Sequence, residues 1–262
     1  MFDNLEQVLG RIKNCSHLYL FLDYDGTLVG IKKRPEDAKP SKKTKLILSK
    51  LISNSRITTI LVSGRPVLQL VGFLRDIETG KLNMVGSHGA EIKIDGQEPE
   101  IIEAARGHIK HIGSIKKELE KITGYKSCFY LEDKKVSLAI HYRNCPPKDL
   151  EKLGKIRNFL KVYTGRLGLD VIEGKKVIEV KASSINKGMA LKNLKNKWSP
   201  SRPGLSLCIG DDVTDEYMFE ANSGGLNLKV ARNSNVASRA RYYVRGIGQV
   251  QKFLMRVNQE VR

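Results

Sequence analysis

The chain has 262 residues and a formal net charge of +18, from 46 lysines and arginines against 28 aspartates and glutamates. Its 40% hydrophobic and 28% charged residues are typical of a globular protein. No apolar run in the sequence approaches the roughly 18 residues that a membrane helix needs. The run from Leu18 to Leu22 is also too short for the apolar region of a secretion signal. We therefore exclude a membrane protein, a collagen-like fibre and a mostly disordered chain.

Positive charge is concentrated in two segments. Residues 31–56 hold nine lysines and arginines against two acidic residues, and residues 226–262 hold eight against one. Such a surface is typical of a solvated exterior, of steering of an anionic substrate, or of nucleic-acid binding. Few aromatic residues interrupt these segments and no nucleic-acid motif is present, so nucleic acid is the weakest of the three interpretations.

The four cysteines, Cys15, Cys128, Cys145 and Cys208, are scattered along the chain. None belongs to a C-x-x-C pair, which argues against a zinc site or a disulfide scaffold. We therefore expect four free thiols, as in a protein of the reducing cytoplasm.

Helices and strands are predicted to alternate at both ends of the chain. The first predicted elements are a helix over Leu5 to Asn14, a strand over His17 to Asp23, a helix from Ser41, a strand over Ile57 to Val62, a helix from Pro66 and a strand over Leu82 to Val85. The last are a helix from Asn186 to Lys197, a strand over Leu205 to Ile209, a helix from Val213 and a strand near Leu226. This alternation predicts a parallel sheet with helices on both faces.

The middle of the chain has a different order. The pattern predicts a helix over Glu103 to Ile122, strands over Lys126 to Leu131 and Val136 to Tyr142, a helix from Pro146 to Tyr163, and strands over Gly168 to Ile172 and Lys176 to Lys181. This order favours an antiparallel sheet backed by two helices. We predict an α/β fold with a Rossmann-like parallel-sheet core, residues 1–102 and 182–262, and an inserted α+β cap domain, residues 103–181.

Two carboxylates lie where the first predicted strand ends, in the segment Phe21-Leu-Asp23-Tyr-Asp25-Gly-Thr27. Ligands of open α/β sheets bind beyond the carboxyl ends of the strands. Asp25 lies two residues after Asp23 and can face the same pocket, and Gly26 permits a sharp turn. Because close carboxylates repel each other unless a cation lies between them, the pair indicates a hard divalent metal. The alternative is a polar turn without ligand.

Three further motifs lie at strand ends or helix starts. Ser63, between a strand and a helix, suits an anion, or it caps the helix. Lys187 can neutralise a phosphoryl group, or it is one exposed lysine among many. The segment Gly210-Asp-Asp-Val-Thr-Asp-Glu216 places three carboxylates within five residues. Carboxylates resist burial unless paired or bound to metal, although the start of a helix also favours them.

In this order, the four motifs resemble those of the haloacid dehalogenase superfamily of phosphohydrolases. Further segments make the chain similar to the trehalose-6-phosphate phosphatase family: Gly86 to Glu91, Ala139 to Arg143, Val177 to Lys181 and Gly210 to Glu216. The resemblance covers roughly residues 17–258 and implies a small α/β cap after the second motif. One departure is visible: the family often has proline where this chain has Ala182-Ser-Ser184.

The resemblance implies a phosphatase that depends on Mg²⁺. Asp23 would be the nucleophile, and Asp25 would protonate the leaving sugar oxygen and later accept a proton from water. Ser63 and Lys187 would bind phosphate oxygens. The implied metal residues are Asp23, Asp25 through its backbone carbonyl, Asp211, and Asp215, which would hold a metal-bound water or orient Lys187.

The resemblance also implies which residues bind substrate. In the core they are Gly64, Arg65, His88 and Glu91, and in the cap they are Arg143, Glu179 and Lys181. Glu179 and Lys181 alternate along a strand, so a solvated face is the alternative for them, and His141 is interpreted as a structural histidine.

The resulting hypothesis is a phosphatase that hydrolyses trehalose 6-phosphate to trehalose and phosphate in the cytoplasm, with a trehalose-phosphate synthase as a possible partner and no membrane. The nearest alternatives have the same chemistry on sucrose phosphate, glucosylglycerol phosphate or mannosyl-phosphoglycerate. A remote alternative is a basic nucleic-acid-binding protein on the same fold, for which the acidic strand ends are unfavourable.

Overall fold

The structure is a computed structural model that describes residues 5–32, 34–78, 80–94, 96–124, 126–174, 176–198, 200–232 and 236–261. The chain divides into two compact units. The first unit contains residues 1–100 and 186–262, and the second contains residues 101–185. The predicted boundaries of the inserted segment, residues 103–181, lie a few residues inside these limits.

Strands and helices follow one another in the following order. The strands are β1 (Leu18–Asp23), β2 (Ile57–Val62), β3 (Asn83–Gly86), β4 (Glu91–Lys93), β5 (Glu100–Ile101), β6 (Tyr130–Asp133), β7 (Ser137–His141), β8 (Leu169–Gly174), β9 (Val177–Ala182), β10 (Leu205–Gly210), β11 (Leu226–Val230) and β12 (Tyr242–Val244). The α-helices are α1 (Leu5–Lys13), α2 (Lys42–Ser53), α3 (Val67–Phe73), α4 (Glu103–Arg106), α5 (Ile109–Thr123), α6 (Lys152–Leu167), α7 (Lys187–Trp198), α8 (Thr214–Ala221) and α9 (Gly246–Glu260).

The larger sheet has the strand order β12-β11-β10-β1-β2-β3-β4-β5 among the described residues. Neighbouring strands from β12 to β3 run parallel, and β4 is antiparallel to β3. The predicted α/β fold with a Rossmann-like parallel sheet is thus confirmed. Because β1 lies between β2 and β10, the carboxyl ends of these three strands meet at one edge of the sheet.

The central strand β1 is buried along its whole length. Its alternate residues Leu18, Leu20 and Leu22 belong to a core cluster that also contains side chains of α1, α2 and α9. Tyr19 and Phe21 belong to the cluster on the other face, with side chains of α7 and α8. Asp23 continues the alternation of Tyr19 and Phe21, and it therefore points toward the face that α7 and α8 cover.

The second unit contains the antiparallel sheet β6-β7-β9-β8. Helices α5 and α6 bury apolar side chains in this unit, among them Ile112, Leu119 and Ile156. The single helix predicted over Glu103 to Ile122 is divided into α4 and α5. Among the described helices of the chain, none has the length and apolar character needed to cross a membrane.

A disulfide bond joins Cys128 and Cys145 in the second unit, whereas Cys15 and Cys208 are free thiols. The expectation of four free thiols is therefore wrong for this pair. The two cysteines are separated by 17 positions and flank the antiparallel strands β6 and β7, whose pairing brings them together. A search for C-x-x-C spacing detects only neighbouring cysteines. Cysteine usage consequently no longer supports the predicted cytoplasmic location.

Candidate active site

Asp23, Lys187 and Asp215 form a buried charged cluster at the carboxyl edge of the larger sheet. The ammonium of Lys187 donates to Asp23 Oδ1 at 2.6 Å and to Asp215 Oδ1 at 2.7 Å. None of these side chains is more than 6% exposed. Asp23 ends β1 on the face covered by α7 and α8, and Lys187 and Asp215 lie in the first turns of those helices. Packing of the two helices on β1 therefore assembles the cluster.

Asp211 contributes a third carboxylate. It follows β10, and carboxylate oxygens of Asp23, Asp211 and Asp215 all lie within 4.8 Å of one another. The Oδ2 atom of Asp23 is buried and accepts no hydrogen bond from the described residues. Three carboxylates face one ammonium, so the cluster has an excess of negative charge that a divalent cation would offset. Oxygen-only ligands suit a hard cation such as Mg²⁺.

The cluster shifts the pKa values of its members. Burial alone would lower the pKa of Lys187, but Asp215 and Asp23 outweigh burial and raise it, so the ammonium stays charged. Burial raises the pKa of Asp23 well above its usual range. The charge of Lys187 acts to lower this pKa, and the charges of Asp215 and Asp211 raise it further. Burial, followed by Asp215 and Asp212, raises the pKa of Asp211 to about 6. A cation beside these carboxylates would favour their charged forms.

Gly26 shapes the turn after β1. Its φ of +86° lies in the left-handed region, and its amide donates to the Val29 carbonyl at 2.7 Å. A Cβ atom at this position would lie 2.0 Å from Asp211 Oδ2. The turn therefore requires glycine for its backbone conformation and for the space that the Asp211 carboxylate occupies.

Asp25 binds Arg65 through both carboxylate oxygens. Arg65 Nε donates to Asp25 Oδ2 at 2.6 Å and Nη2 donates to Oδ1 at 2.8 Å. The guanidinium carbon lies 5.7 Å from the Tyr24 ring centre and 5.4 Å from that of Phe73. The side chain of Asp25 does not belong to the group of described acidic side chains that lie close enough together to share a metal ion. Arg65, predicted to contact substrate, here orients Asp25.

Ser63, Gly64 and His88 meet at the end of β2. Ser63 Oγ accepts the Arg65 backbone N–H at 3.1 Å, which leaves its own hydroxyl proton to donate. The backbone N–H of His88 donates to the Ser63 carbonyl at 3.0 Å. The imidazole covers Gly64, where a Cβ atom would lie 2.5 Å from His88 Nε2. The structure thus brings these predicted phosphate and substrate residues together.

The carboxylate of Glu91 accepts hydrogen bonds from two neighbouring residues of the first unit. Its Oε2 accepts the backbone N–H of Val67, the first residue of α3, at 2.8 Å, and its Oε1 accepts the Ser87 hydroxyl at 2.6 Å. A carboxylate that accepts the free N–H at a helix start stabilises the helix. Both oxygens of Glu91 therefore have a structural role, and its contact with substrate stays a prediction.

The second unit holds the remaining predicted substrate residues. Arg143 is exposed in the turn that follows β7. Glu179 accepts hydrogen bonds from Lys134 at 3.1 Å and from Ser137 at 2.8 Å. Lys181 is only 5% exposed and donates to two backbone carbonyls in the segment around the end of β9. Glu179 and Lys181 therefore do not form a solvated face, and the Lys181 ammonium is bound inside its own unit.

Sequence reasoning missed Glu216 and Lys229. Lys229 is 4% exposed and donates to Glu216 at 2.8 Å and to the backbone carbonyl of Asp212 at 3.0 Å. These contacts hold the loop that carries Asp211. The available signal was a lysine among the apolar residues Leu226, Leu228 and Val230 of β11, because an ammonium is buried only when it is paired.

Comparison with known proteins decides the family. The trehalose-phosphatase family profile matches residues 21–246. The chain belongs to the trehalose-phosphatase family. The predicted family is thus confirmed, and the name denotes a phosphoric monoester hydrolase, the predicted class of enzyme.

Similarity to individual proteins, in sequence and in structure, supports the same family. A trehalose-6-phosphate phosphatase-related protein of Thermoplasma acidophilum is 30% identical and covers 90% of this chain and 94% of its own length. The α,α-trehalose-phosphate synthase [UDP-forming] B of Dictyostelium discoideum is 29% identical over 97% of this chain, which spans only 32% of that protein. The C-terminal domain of a Candida albicans trehalose-6-phosphate phosphatase superposes with a TM-score of 0.81 at 25% identity, covering 98% of this chain and 97% of that one.

We expect Gly26→Ala to lower the free energy of unfolding by about 1–3 kcal/mol, because alanine is strained at positive φ. The added Cβ would also displace Asp211. Urea denaturation measures the first effect, and titration calorimetry with Mg²⁺ measures the second. Gly30→Ala is the control, because its Cβ would meet nothing closer than 3.8 Å. Equal stability of the two variants would contradict the role assigned to Gly26.

Proposed function

We propose that the chain hydrolyses trehalose 6-phosphate to trehalose and phosphate, with Asp23 as nucleophile and Mg²⁺ as cofactor. The observation that carries the proposal is the buried contact of Asp23 with Lys187 beside Asp211 and Asp215, at the sheet edge where α/β proteins bind ligands. The printed names of the Thermoplasma and Candida relatives support trehalose 6-phosphate as the substrate.

In the proposed reaction, a carboxylate oxygen of Asp23 attacks phosphorus while the bond from phosphorus to the sugar oxygen breaks. Asp25 donates a proton to that oxygen. Water then attacks the aspartyl-phosphate, gives a proton to Asp25, and releases phosphate and Asp23. The Lys187 ammonium offsets charge on the phosphoryl oxygens, and the Ser63 hydroxyl donates to one of them.

Magnesium fits the cluster because Asp23 Oδ2 is buried without a donor among the described residues and because the ligand atoms are oxygens. Bound Mg²⁺ would offset negative charge on the phosphoryl group and on the carboxylates. Asp23, Asp211 and the Asp25 carbonyl would hold it. Asp215 orients Lys187, since it accepts a hydrogen bond from that ammonium at 2.7 Å.

We further propose that the first unit carries the chemistry and that the second selects the sugar. Arg143 is exposed and offers donors that suit sugar hydroxyls or phosphate. A closing segment that excludes water and contacts the substrate is a common source of specificity. The synthase name of the Dictyostelium relative supports a trehalose-phosphate synthase as the source of substrate. Because a charged sugar phosphate does not cross a bilayer unaided, we propose the cytoplasm as the location.

The test of the function is release of free phosphate from a panel of esters. We expect a higher kcat/KM on trehalose 6-phosphate than on sucrose phosphate, glucosylglycerol phosphate or mannosyl-phosphoglycerate. Asp23→Asn should lower turnover by about 10³-fold or more, because an amide is a poor nucleophile.

Asp212→Asn is the matched control for this variant. It makes the same chemical change at an exposed position beside the site, and it should change turnover less than about fivefold, since exposed charges contribute at most about 1 kcal/mol. Wild-type turnover in Asp23→Asn would overturn the mechanism, and preference for another ester would overturn the substrate.

Saturating Mg²⁺ should raise the Tm of the wild-type chain by about 5–10 °C when its concentration is about 100 times its Kd, because the ion binds the folded state. Asp211→Asn should lose most of this shift, and Asp212→Asn should keep it. Differential scanning fluorimetry with and without a chelator measures both. An equal shift in Asp211→Asn would remove Asp211 from the metal site.

Arg65→Lys tests whether Arg65 orients Asp25 or contacts the substrate. Lysine keeps the charge but loses the paired hydrogen bonds at 2.6 and 2.8 Å. We expect kcat to fall roughly tenfold, as for a misplaced acid group, with KM nearly unchanged. Steady-state kinetics separate the two parameters, and Arg75→Lys, at a residue 84% exposed, is the control. A raised KM at constant kcat would support the substrate contact predicted from the sequence.

A further inference from the structure

A cavity of about 660 Å³ lies in the first unit, at the sheet edge opposite the carboxylate cluster. Its walls come from the amino-terminal ends of β1, β2 and β3 and from the loops that lead into β2, β3 and β10. The carboxylates lie beyond the other ends of β1 and β10, so this cavity is separate from the proposed active site. Nothing in the proposed phosphatase reaction uses it.

The charged groups in this cavity are positive. Lys81 and Arg202 line it, and no aspartate or glutamate is among its lining residues within the described part of the chain. Neither cation forms an ion pair with a described acidic residue. Burial, with Arg202 and Arg56 adding to it, lowers the pKa of the adjacent His17 to about 4. The field at this edge of the sheet therefore favours an anion.

One wall of the cavity is aromatic. The rings of Tyr19 and Trp198 stack with centres 5.7 Å apart and planes 3° apart. Tyr19 is fixed in place, because it is 1% exposed and its hydroxyl donates to the Arg202 carbonyl at 2.7 Å. Trp198 is half-buried and lines the cavity. A rigid aromatic wall next to two cations suits a ligand with both a ring and an anionic group.

Hydroxyl groups complete the lining. Ser53 and Ser55 are exposed at one side of the cavity, and Thr58 Oγ1 contacts His17 Nε2 at 2.8 Å. Hydroxyls donate and accept hydrogen bonds, so they suit phosphate oxygens as well as ring substituents. We propose that this cavity binds a small phosphate ester, with Lys81 and Arg202 taking the phosphate and the ring of the ester packing against Trp198.

The test uses Trp198 as its reporter, because it is the only tryptophan in the sequence. The probes are glucose 6-phosphate, AMP, inorganic phosphate and glucose. They are titrated in an Asp23→Asn background, so that no ester is consumed, and tryptophan fluorescence is recorded. We expect a saturable change with at least one of the two ring-bearing phosphates below about 10 mM, a weaker response to inorganic phosphate, and none to glucose. Whether glucose 6-phosphate or AMP binds more tightly distinguishes a sugar ring from a nucleotide base.

Lys81→Gln combined with Arg202→Gln should weaken the response at least tenfold. Arg241→Gln, which removes one positive charge at a residue outside this cavity, should not weaken it. The double substitution keeps the backbone carbonyl of residue 202 that accepts the hydrogen bond from Tyr19. In a chain that retains Asp23, the double substitution should leave kcat/KM on a small aryl phosphate unchanged. The proposal fails if Trp198 responds to neither ester, if the response survives the double substitution, or if inorganic phosphate binds as tightly as both. These fluorescence results do not depend on whether the chain hydrolyses trehalose 6-phosphate.

Discussion

The ammonium of Lys187, buried between Asp23 and Asp215, is the contact on which the site depends. Removing one partner of a buried ion pair typically costs about 3–5 kcal/mol, because the remaining charge is left without compensation. The ammonium reaches this place because α7 packs closely on α8. Gly188 makes that approach possible, since a Cβ there would lie 2.2 Å from the Tyr217 carbonyl oxygen. The ion pairs of Lys187 and the close packing of α7 on α8 thus depend on adjacent residues in the first turn of α7.

Strand-end residues could be predicted well from the sequence. Asp23 ends its strand, and Ser63 and Asp211 each follow one. The order of strands and helices predicts a parallel sheet that brings these strand ends to one edge. Lys187 could not be distinguished from other lysines by local pattern, because its partner Asp23 lies 164 positions away. The contacts of Arg65 with Asp25 likewise depend on a turn and a strand end that meet only in the fold.

Other features of the fold were not predicted, and the reasons differ between them. Strands β4 and β12 have only three residues each, too few to show a period. Helix α9 was not predicted, although Val250, Phe253, Leu254 and Val257 recur at helical spacing and are buried. The disulfide was missed because pairing of β6 with β7, and not proximity in sequence, joins its cysteines.

The position of β1 has a consequence for how the protein is made. β1 can pair with β2 as soon as residue 62 has left the ribosome, but its other neighbour begins at Leu205. At about 5–20 residues per second, translation leaves that side of β1 open for about 7–30 s. An unpaired apolar strand edge is a template for association with other chains. Nascent chains that stop within the second unit are therefore the species in which we expect aggregation, and chaperones would need to shield β1 during this interval.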